Sequence, residues 1–399
     1  MPGRRDAIYR VAAARGISML GSQLAVIALV FEVYRTTESA VWVSVVVLSA
    51  ALAMALMAPV GGWLGDTFDR RTVMITSDLA AAAVFILLVF AGNLWLLIGL
   101  SLVATIARAP FFPAAQAALP NLAAAGDLAW ANGIVTQASS LGTTIGPLVG
   151  GVLVAAVGTG AAFGVNAVTF LISAGLIISV RKRFQAPAPA SLAVPAVPFS
   201  EGLRVVFGTR RLRLLTIAEL VGLSVIGWAI VADAPLAALL HVGAVGFAAL
   251  VSSWGAGMVI GAWATGRWLG EHPLEVQLVF AGMLVAGAMV ALIGLLPAFS
   301  LMLAVSVIGG AAGGAVNVAR SLIVQRSVPD GIRSRVFAVV EVVASASFIL
   351  GLACAGPAIA LLGVRTAYVV AGLGFALSAL VLLPLLLPLH TRREQPART

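Results

Sequence analysis

Five carboxylates interrupt long apolar runs of the sequence, and each could take up and release a proton. Asp233 stands in "WAIVADAPLAALLH" and Glu341 in "FAVVEVVASASF". Burial away from water disfavours the charged form of a carboxylate, so a buried acid can hold a proton near neutral pH. A structural ion pair, such as Glu341 with Arg320, is the alternative interpretation. In order of preference the candidate proton carriers are Asp233, Glu341, Glu219, and then Glu32 and Asp78.

Arg108 also lies in an apolar run, "ATIARAPFFPA". An arginine at the centre of a bilayer costs at least about 2.5–3.5 kcal/mol, so we expect its side chain to face a cavity or a partner. A functional charge and a structural contact between helices both stay open for it. Arg320 lies near the end of its own apolar run, from which its side chain is expected to reach the membrane surface.

The composition indicates a membrane protein with many spans. The 399 residues are 61% hydrophobic and 10% charged, with a mean hydropathy of +1.09. Soluble domains are about 45–50% apolar and about 25% charged. The net charge of +9 stands beside few aromatic residues, and the charges fall between the apolar runs, which favours a bilayer partner over nucleic acid. With Cys354 as its single cysteine, the chain is expected to hold no disulfide of its own and no metal site.

Charged, glycine, proline and asparagine clusters divide the chain into twelve apolar stretches, each long enough to cross a bilayer as a helix. The predicted fold is therefore all-α, with twelve membrane spans. The predicted spans, numbered 1 to 12, are 11–33, 41–65, 72–91, 94–118, 128–157, 160–180, 213–241, 243–268, 273–296, 299–325, 333–362 and 365–389.

The lysine and arginine residues predict the orientation. Nineteen of the 24 lie in the even-numbered loops and the two tails, whereas the odd-numbered loops hold Arg35 and Arg365. Loops rich in these residues stay in the cytoplasm. The sequence therefore predicts a plasma-membrane protein with both termini cytoplasmic.

The longest segment outside the spans, 181–212, predicts a linker between two lobes, 1–180 and 213–399. It begins "RKRFQAPAPASLAVPAVPF", and such proline-rich stretches are stiff and extended. Ser200 is a candidate N-cap for a short amphipathic helix on the membrane surface. Because no loop is long enough for a soluble domain, we expect no enzyme activity and no cofactor.

The two halves repeat one another. Gly16 and Gly21 in span 1 match Gly222 and Gly227 in span 7 at an offset of 206, and Gly146-Pro147 matches 356–357 at an offset of 210. Two pseudo-symmetric six-helix lobes are therefore predicted, an architecture typical of alternating-access transporters.

The end of span 2 reads "GGWLGDTFDRRTVM" and resembles the loop signature of the major facilitator superfamily. Gly62 and Asp66 occupy its Gly-x-x-x-Asp positions, and Arg70 and Arg71 form its basic pair. Asp69 replaces the usual glycine before that pair. The resemblance implies that Asp66 latches one conformation by accepting hydrogen bonds from a helix N-terminus or an arginine of the other lobe; a plain charged turn is the alternative.

Span 5 contains "GIVTQASSLGTTIGPLVGG", which is similar to the antiporter signature of the same superfamily. Three glycines four residues apart line one helix face, which lets another helix approach at backbone distance. We expect this face, bent at the proline, to move against a helix of the other lobe. The signature positions are Gly133, Gly142, Gly146, Pro147, Gly150 and Gly151.

Stretches such as "FGVNAVTFLIS" resemble the DHA3-type branch, which includes macrolide, tetracycline and siderophore exporters. The resemblance implies proton-coupled export of amphipathic drugs or metabolites by a monomer, driven by the proton gradient, and hence antibiotic resistance. Many members carry an arginine that assists proton transfer at the position of Arg108. An importer or facilitator and a lipid-handling permease on the same fold are the alternatives.

Spans 1, 4, 7 and 10 usually line the cavity in this superfamily, so the resemblance also implies a set of substrate contacts. A few polar groups among apolar and aromatic ones suit an amphipathic organic molecule. The candidates are Met19, Gln23, Phe111, Phe112, Trp228 and Asn317, with Gln137 of span 5 in addition.

Overall fold

The structure, a computed structural model, describes residues 2–123, 127–182, 184, 199–268 and 274–386. Almost all of these residues are helical, and twelve helices are long and apolar enough to cross a membrane. The helices of spans 1 to 6 are Pro2–Thr37, Ala40–Thr67, Arg70–Val89, Leu94–Arg108 with Phe111–Leu122, Leu128–Val157 and Thr159–Ser179. Those of spans 7 to 12 are Arg210–Leu239, Gly243–Trp268, Glu275–Leu295, Phe299–Ser327, Asp330–Leu362 and Val364–Ser378, the last extended by a 3₁₀ turn and Leu383–Leu386.

The twelve predicted spans are confirmed, but their ends differ from the predicted ones. Span 1 begins at Pro2 rather than at residue 11, since its helix continues through the polar sequence that precedes the apolar core. A short helix, Phe199–Gly208, precedes span 7, so Ser200 lies inside that helix rather than before it. Residues 185–198, most of the proposed linker, lie outside the described part of the chain.

Span 4 is interrupted, although the sequence predicted one continuous helix there. Its first helix ends at Arg108, and a second begins at Phe111 after Ala109 and Pro110. Proline has no backbone N–H to donate, so the hydrogen-bond ladder breaks at Pro110. The break places Arg108 at a helix C-terminus, where the unpaired carbonyl groups favour a positive charge.

The two halves pack in the same way, which confirms the predicted pseudo-symmetry. In the first lobe, span 1 packs against span 5, span 3 against span 6, and span 2 against span 4. The second lobe repeats this pattern with spans 7 and 11, 9 and 12, and 8 and 10.

Among the described residues, the lobes share a hydrophobic core at only one of the two faces. We define the terminal face by the starts of the odd-numbered spans and the opposite face by the starts of the even-numbered ones. At the opposite face one cluster includes Val33 and Val43 from the first lobe with Leu236 and Phe247 from the second. At the terminal face each lobe has a cluster of its own. The lobes are therefore joined at the opposite face.

Small residues make this junction close. A Cβ atom added to Gly151 of span 5 would lie 2.3 Å from Ala248 Cβ and 2.7 Å from the carbonyl oxygen of Ala244, both in span 8. In the symmetry-related contact between spans 2 and 11, the Ser44 hydroxyl donates a hydrogen bond to the carbonyl oxygen of Leu352. Helices that meet at backbone distance leave no room for a larger side chain.

A side chain at Gly151 should therefore open the junction. Overpacking a tight contact costs about 1–3 kcal/mol. We expect Gly151→Val to lower the formation of a disulfide between Thr144→Cys and Gly255→Cys at least about fivefold. A Cβ at Gly255 lies 3.8 Å from the Cα of Thr144. The test uses a Cys354→Ser background and a protease site inserted within residues 185–198, so that only cross-linked lobes migrate together.

Gly133→Val is the matched control, because a Cβ at Gly133 of the same span meets no atom within 4 Å. Its cross-linking should equal that of the parent protein. Equal losses in the two variants, or none in either, would contradict this description of the junction.

Candidate functional site

A cavity of about 470 Å³ lies between the lobes. Spans 7 to 12 supply most of its wall, and spans 1 and 2 close it through side chains that include Val26, Val30 and Val47. Most lining residues are apolar or aromatic. The charged and hydroxyl-bearing or amide-bearing residues among them are Glu219, Asp233, Ser306, Asn317, Arg320 and Tyr368.

Span 7 places two carboxylates on this wall. Glu219 and Asp233 are fourteen residues apart, which is close to four helical turns and about 21 Å along the helix. They therefore share one face of span 7 and reach the cavity at different depths, Glu219 nearer to the terminal face. Asp233 and Glu219, the first and third candidates for the proton carrier, thus line the same cavity.

Asp233 has a partner from span 12. The hydroxyl of Tyr368, a residue only 1% exposed, donates a hydrogen bond to Asp233 Oδ1. Sequence reasoning missed Tyr368, because no local pattern connects two residues 135 positions apart. The contact couples the protonation of Asp233 to the packing of span 12 against span 7.

Glu219, Arg320 and Glu341 form a charged cluster that brings spans 7, 10 and 11 together. Arg320 Nε lies 3.5 Å from Glu219 Oε1, and Arg320 Nη2 lies 3.5 Å from Glu341 Oε2. Glu219 is buried, and its Oε2 has no hydrogen-bond partner among the described residues, whereas the Glu341 side chain is 68% exposed. The expectation that Arg320 extends to the membrane surface is wrong, since two carboxylates hold it at the cavity wall.

The other two candidate acids lie elsewhere. Glu32 pairs with Arg35 at 2.7 Å and accepts a hydrogen bond from Thr159 at the opposite face. Asp78 is 1% exposed inside the first lobe, and its Oδ2 has no partner within the described part of the chain. Neither is part of the cavity wall.

Arg15 and Arg108, which lie within spans of the first lobe, have no acidic partner among the described residues. Arg108 is half-buried at the break in span 4. Arg15 of span 1 is 8% exposed, and its guanidinium carbon lies 4.2 Å from the ring centre of Phe112. The sequence singled out Arg108 and Phe112 as site residues but not Arg15, whose place near the end of a span resembled that of a surface arginine.

The seven candidate substrate contacts do not come together in this cavity. Asn317 lines it, but Phe111 is buried in the core of the first lobe, and Trp228 is half-buried against the shared core. Met19 and Gln23 lie against the glycine face of span 5, and Gln137 is exposed on the same span. Position along a span did not predict which helix face meets the cavity.

The glycine face of span 5 packs within its own lobe. A Cβ on Gly142, Gly146 or Gly150 would lie 2.6–2.8 Å from backbone atoms of span 1. The close approach predicted for these glycines is present, but the partner is span 1 rather than a helix of the other lobe. Of the five signature glycines, Gly151 is the one that meets the other lobe among the described residues. Span 5 continues as a helix through the buried Pro147.

The loop after span 2 is fixed by its own polar groups. Asp69 Oδ2 accepts hydrogen bonds from the backbone N–H of Thr72 at 3.1 Å and from its hydroxyl at 3.2 Å. Asp69 therefore caps the N-terminus of span 3. This explains the aspartate at the position where the superfamily signature has glycine.

The basic pair of that loop ties helices of the first lobe together. Arg70 donates to the carbonyl oxygen of Gly65 at 3.2 Å and to that of Ala117 in span 4 at 2.7 Å. Arg71 donates to the carbonyl oxygen of Ile178 at the end of span 6. Gly62 has open space where a side chain would be, and the Asp66 side chain lies outside the described part of the structure, so the latch assigned to it stays a prediction.

Two pseudo-symmetric helical lobes around a cavity with buried charges define a membrane transporter. The family model described as "Major Facilitator Superfamily" matches residues 11–298. The chain belongs to this superfamily, and its family and fold are those of transporters.

Named relatives agree with the predicted drug-efflux branch. The chain is 29% identical to the "Uncharacterized MFS-type transporter YfiS" of Bacillus subtilis (strain 168), covering 90% of this chain and 88% of the relative. It is 27% identical to the "Multidrug efflux pump Tap" of Mycolicibacterium fortuitum, covering 84% and 85%. A bacterial homolog of the human lysosomal transporter Spinster, in an inward-facing and unoccupied conformation, shares the fold with a TM-score of 0.72 at 16% identity, over 96% and 95% of the two chains.

The charged cluster can be tested by removing its central cation. Arg320→Met leaves Glu219 buried without a counter-charge, which costs about 3–5 kcal/mol. We expect the Tm of the purified protein in detergent to fall by several degrees. Tryptophan fluorescence during heating measures this change. Adding Glu219→Gln to Arg320→Met removes the stranded charge and should recover part of that loss.

Arg35→Met is the control, because it breaks the exposed pair with Glu32, and such pairs contribute at most about 1 kcal/mol. A double variant that is no more stable than Arg320→Met alone would show that the cluster is not held by the charge balance described here.

Proposed function

We propose that this protein exports amphipathic small molecules, such as drugs or secondary metabolites, from the cytoplasm in exchange for protons. The observation that carries the proposal is a mainly apolar cavity between two lobes, with Glu219 and Asp233 on its wall. Apolar walls with a few polar groups suit an amphipathic organic ligand. The similarity to a protein named a multidrug efflux pump supports the same substrate class, and export of this kind would contribute to antibiotic resistance.

The orientation follows from the distribution of basic residues. The terminal face carries Arg70, Arg71, Arg211 and Arg326, and loops rich in Lys and Arg stay in the cytoplasm. The terminal face is therefore cytoplasmic in this proposal, with the protein in the plasma membrane. Since the lobes are joined at the opposite face and have separate cores at the terminal face, this conformation is the one that loads substrate from the cytoplasm.

Proton exchange is assigned to the carboxylates of span 7. Asp233 holds a proton when the cavity faces the acidic outer side, and its hydrogen bond with Tyr368 positions the carboxyl group between spans 7 and 12. A substrate that enters from the cytoplasm changes the surroundings of this group and favours release of the proton. A ligand that binds one conformation better shifts the population towards it, so substrate and proton drive the lobes in opposite directions.

The charged cluster gives the second step of the same cycle. Glu219 and Glu341 compete for one guanidinium, that of Arg320. When a proton neutralises one carboxylate, the remaining ion pair draws Arg320 towards the other. Because the three residues come from spans 7, 10 and 11, this exchange moves the helices that surround the cavity.

Transport in inverted membrane vesicles tests the proposal. The vesicles carry an inside-acid gradient, which quenches the fluorescence of a pH-sensitive dye. Adding a macrolide or a tetracycline to wild-type vesicles should release protons from the vesicle interior, and the recovery of the dye fluorescence measures this release. Asp233→Asn keeps the shape of the side chain but cannot cycle a proton, so we expect release to fall at least about tenfold, in the range of a lost acid–base group.

Glu32→Gln is the matched control, because Glu32 is an acid of similar depth that pairs with Arg35 away from the cavity. It should release protons like the wild type at equal expression. Release that persists in Asp233→Asn would move the proton site to Glu219 or Glu341. No release with any compound in the wild type would contradict proton-coupled export.

A further inference from the structure

Arg15 and Arg108 of the first lobe lie within spans, and no acid of the described chain balances them. Arg15 is more than nine-tenths buried, and its Nη1 has no hydrogen-bond partner. Arg108 is half-buried at the break in span 4, and neither arginine makes an ion pair among the described residues. A guanidinium at membrane depth is costly unless it meets an anion or water.

Phe112 contacts Arg15 and lies four residues after Arg108 in span 4. Ala109 and Pro110 between them keep right-handed helical dihedral angles, with φ and ψ of −56° and −38° at Ala109 and of −69° and −21° at Pro110. Residues four apart on such a backbone lie about 5–6 Å apart on the same side. Because Arg15 contacts Phe112, Arg108 projects from the side of span 4 that faces Arg15.

The pair is on the cavity side of its lobe. Arg15 precedes Val26 by eleven residues, which is about three turns, so the two side chains leave span 1 in nearly the same direction. Val26 lines the cavity. Arg15 thus lies on the same face, about 16 Å nearer to the terminal face.

The internal repeat explains why Arg108 lacks an acidic partner. Arg320 corresponds to Arg108 in the repeat, since Ala107-Arg108 matches Ala319-Arg320 at an offset of 212, and it is balanced by Glu219 and Glu341. At the offsets of 206 and 210 that relate the same spans, the first lobe has Ala13 and Ala131 in place of the two acids. The first lobe has therefore kept the cation of the cluster without its anions.

We propose that Arg15 and Arg108 bind the anionic group of an amphipathic substrate, a carboxylate, sulfonate or phosphate, while its apolar part occupies the cavity. The inference rests on the proposed transport function and narrows the substrate class to amphipathic acids. A guanidinium presents several donors in one plane and pairs with such oxyanions through two parallel hydrogen bonds. Phe112 covers one face of the Arg15 guanidinium, and the buried Nη1 at its edge has no hydrogen-bond partner among the described residues.

Binding to the purified full-length protein in phosphatidylcholine nanodiscs tests the inference without any gradient. The probes are dansylaminoundecanoic acid and its methyl ester, which differ only in the negative charge. We expect the wild type to bind the acid at least about tenfold more tightly, as for a hydrogen-bonded charge, and high salt to reduce the preference. In Arg15→Gln and Arg108→Gln the two probes should bind within about twofold of each other.

Arg35→Gln, which removes an arginine at the opposite face, should keep the full preference, and Arg15→Lys should keep part of it. If added phosphatidylglycerol competes with the acid probe, the anionic group comes from a lipid. If phosphatidylglycerol does not compete, the ligand is a free amphiphile. Equal affinities of the wild type for both probes would overturn the inference, as would a preference that survives both glutamine substitutions. If the macrolide or the tetracycline still evokes proton release from vesicles in that case, the proposed function stands and only the substrate class is wrong.

Discussion

The close approach of the two lobes at the opposite face is the contact on which the rest of the structure depends. Spans 5 and 8 meet at backbone distance, because Gly151 has no side chain and those of Ala244 and Ala248 are small. Lipid gives no hydrophobic drive for helix association, so such contacts depend on close packing and hydrogen bonds. A junction of this kind is strong when closed, and it has no partly open form, since packed interfaces are bistable rather than elastic.

The buried charged residues of the two lobes lie at different contacts between helices. In the second lobe Glu219, Arg320 and Glu341 form ion pairs that join three helices. Asp233 accepts a hydrogen bond from the hydroxyl of Tyr368. Each of these contacts joins different helices, so a change in the protonation of its carboxylate would change how those helices pack. The first lobe instead holds Arg15 and Arg108 with no acidic partner among the described residues, so the two lobes differ in charge although their backbones are related by the repeat.

Local patterns predicted the twelve spans, the repeat and the close approach at Gly142, Gly146 and Gly150, because hydrophobic length and four-residue spacing are properties of one helix. Which helix meets the glycines depends on the packing of the whole lobe, and span 1 was not foreseen. The pair of Asp233 and Tyr368 joins distant positions and left no signal. By contrast, the cap of Asp69 on Thr72 joins residues only three positions apart, although the sequence marked Asp69 only as a departure from the signature. The cavity assignments by span number failed for Phe111 because helix rotation is not encoded in the order of the spans.

The most direct test measures distances at both faces of one protein by pulsed electron paramagnetic resonance. Spin labels at the exposed positions Thr67 and Gln325 report the terminal face, and labels at Val157 and Leu239 report the opposite face. Acidic pH and added substrate are the two conditions to vary. The account predicts that the distance at one face lengthens whenever the distance at the other shortens. Distances that change together, or an opposite face that stays closed under every condition, would contradict it.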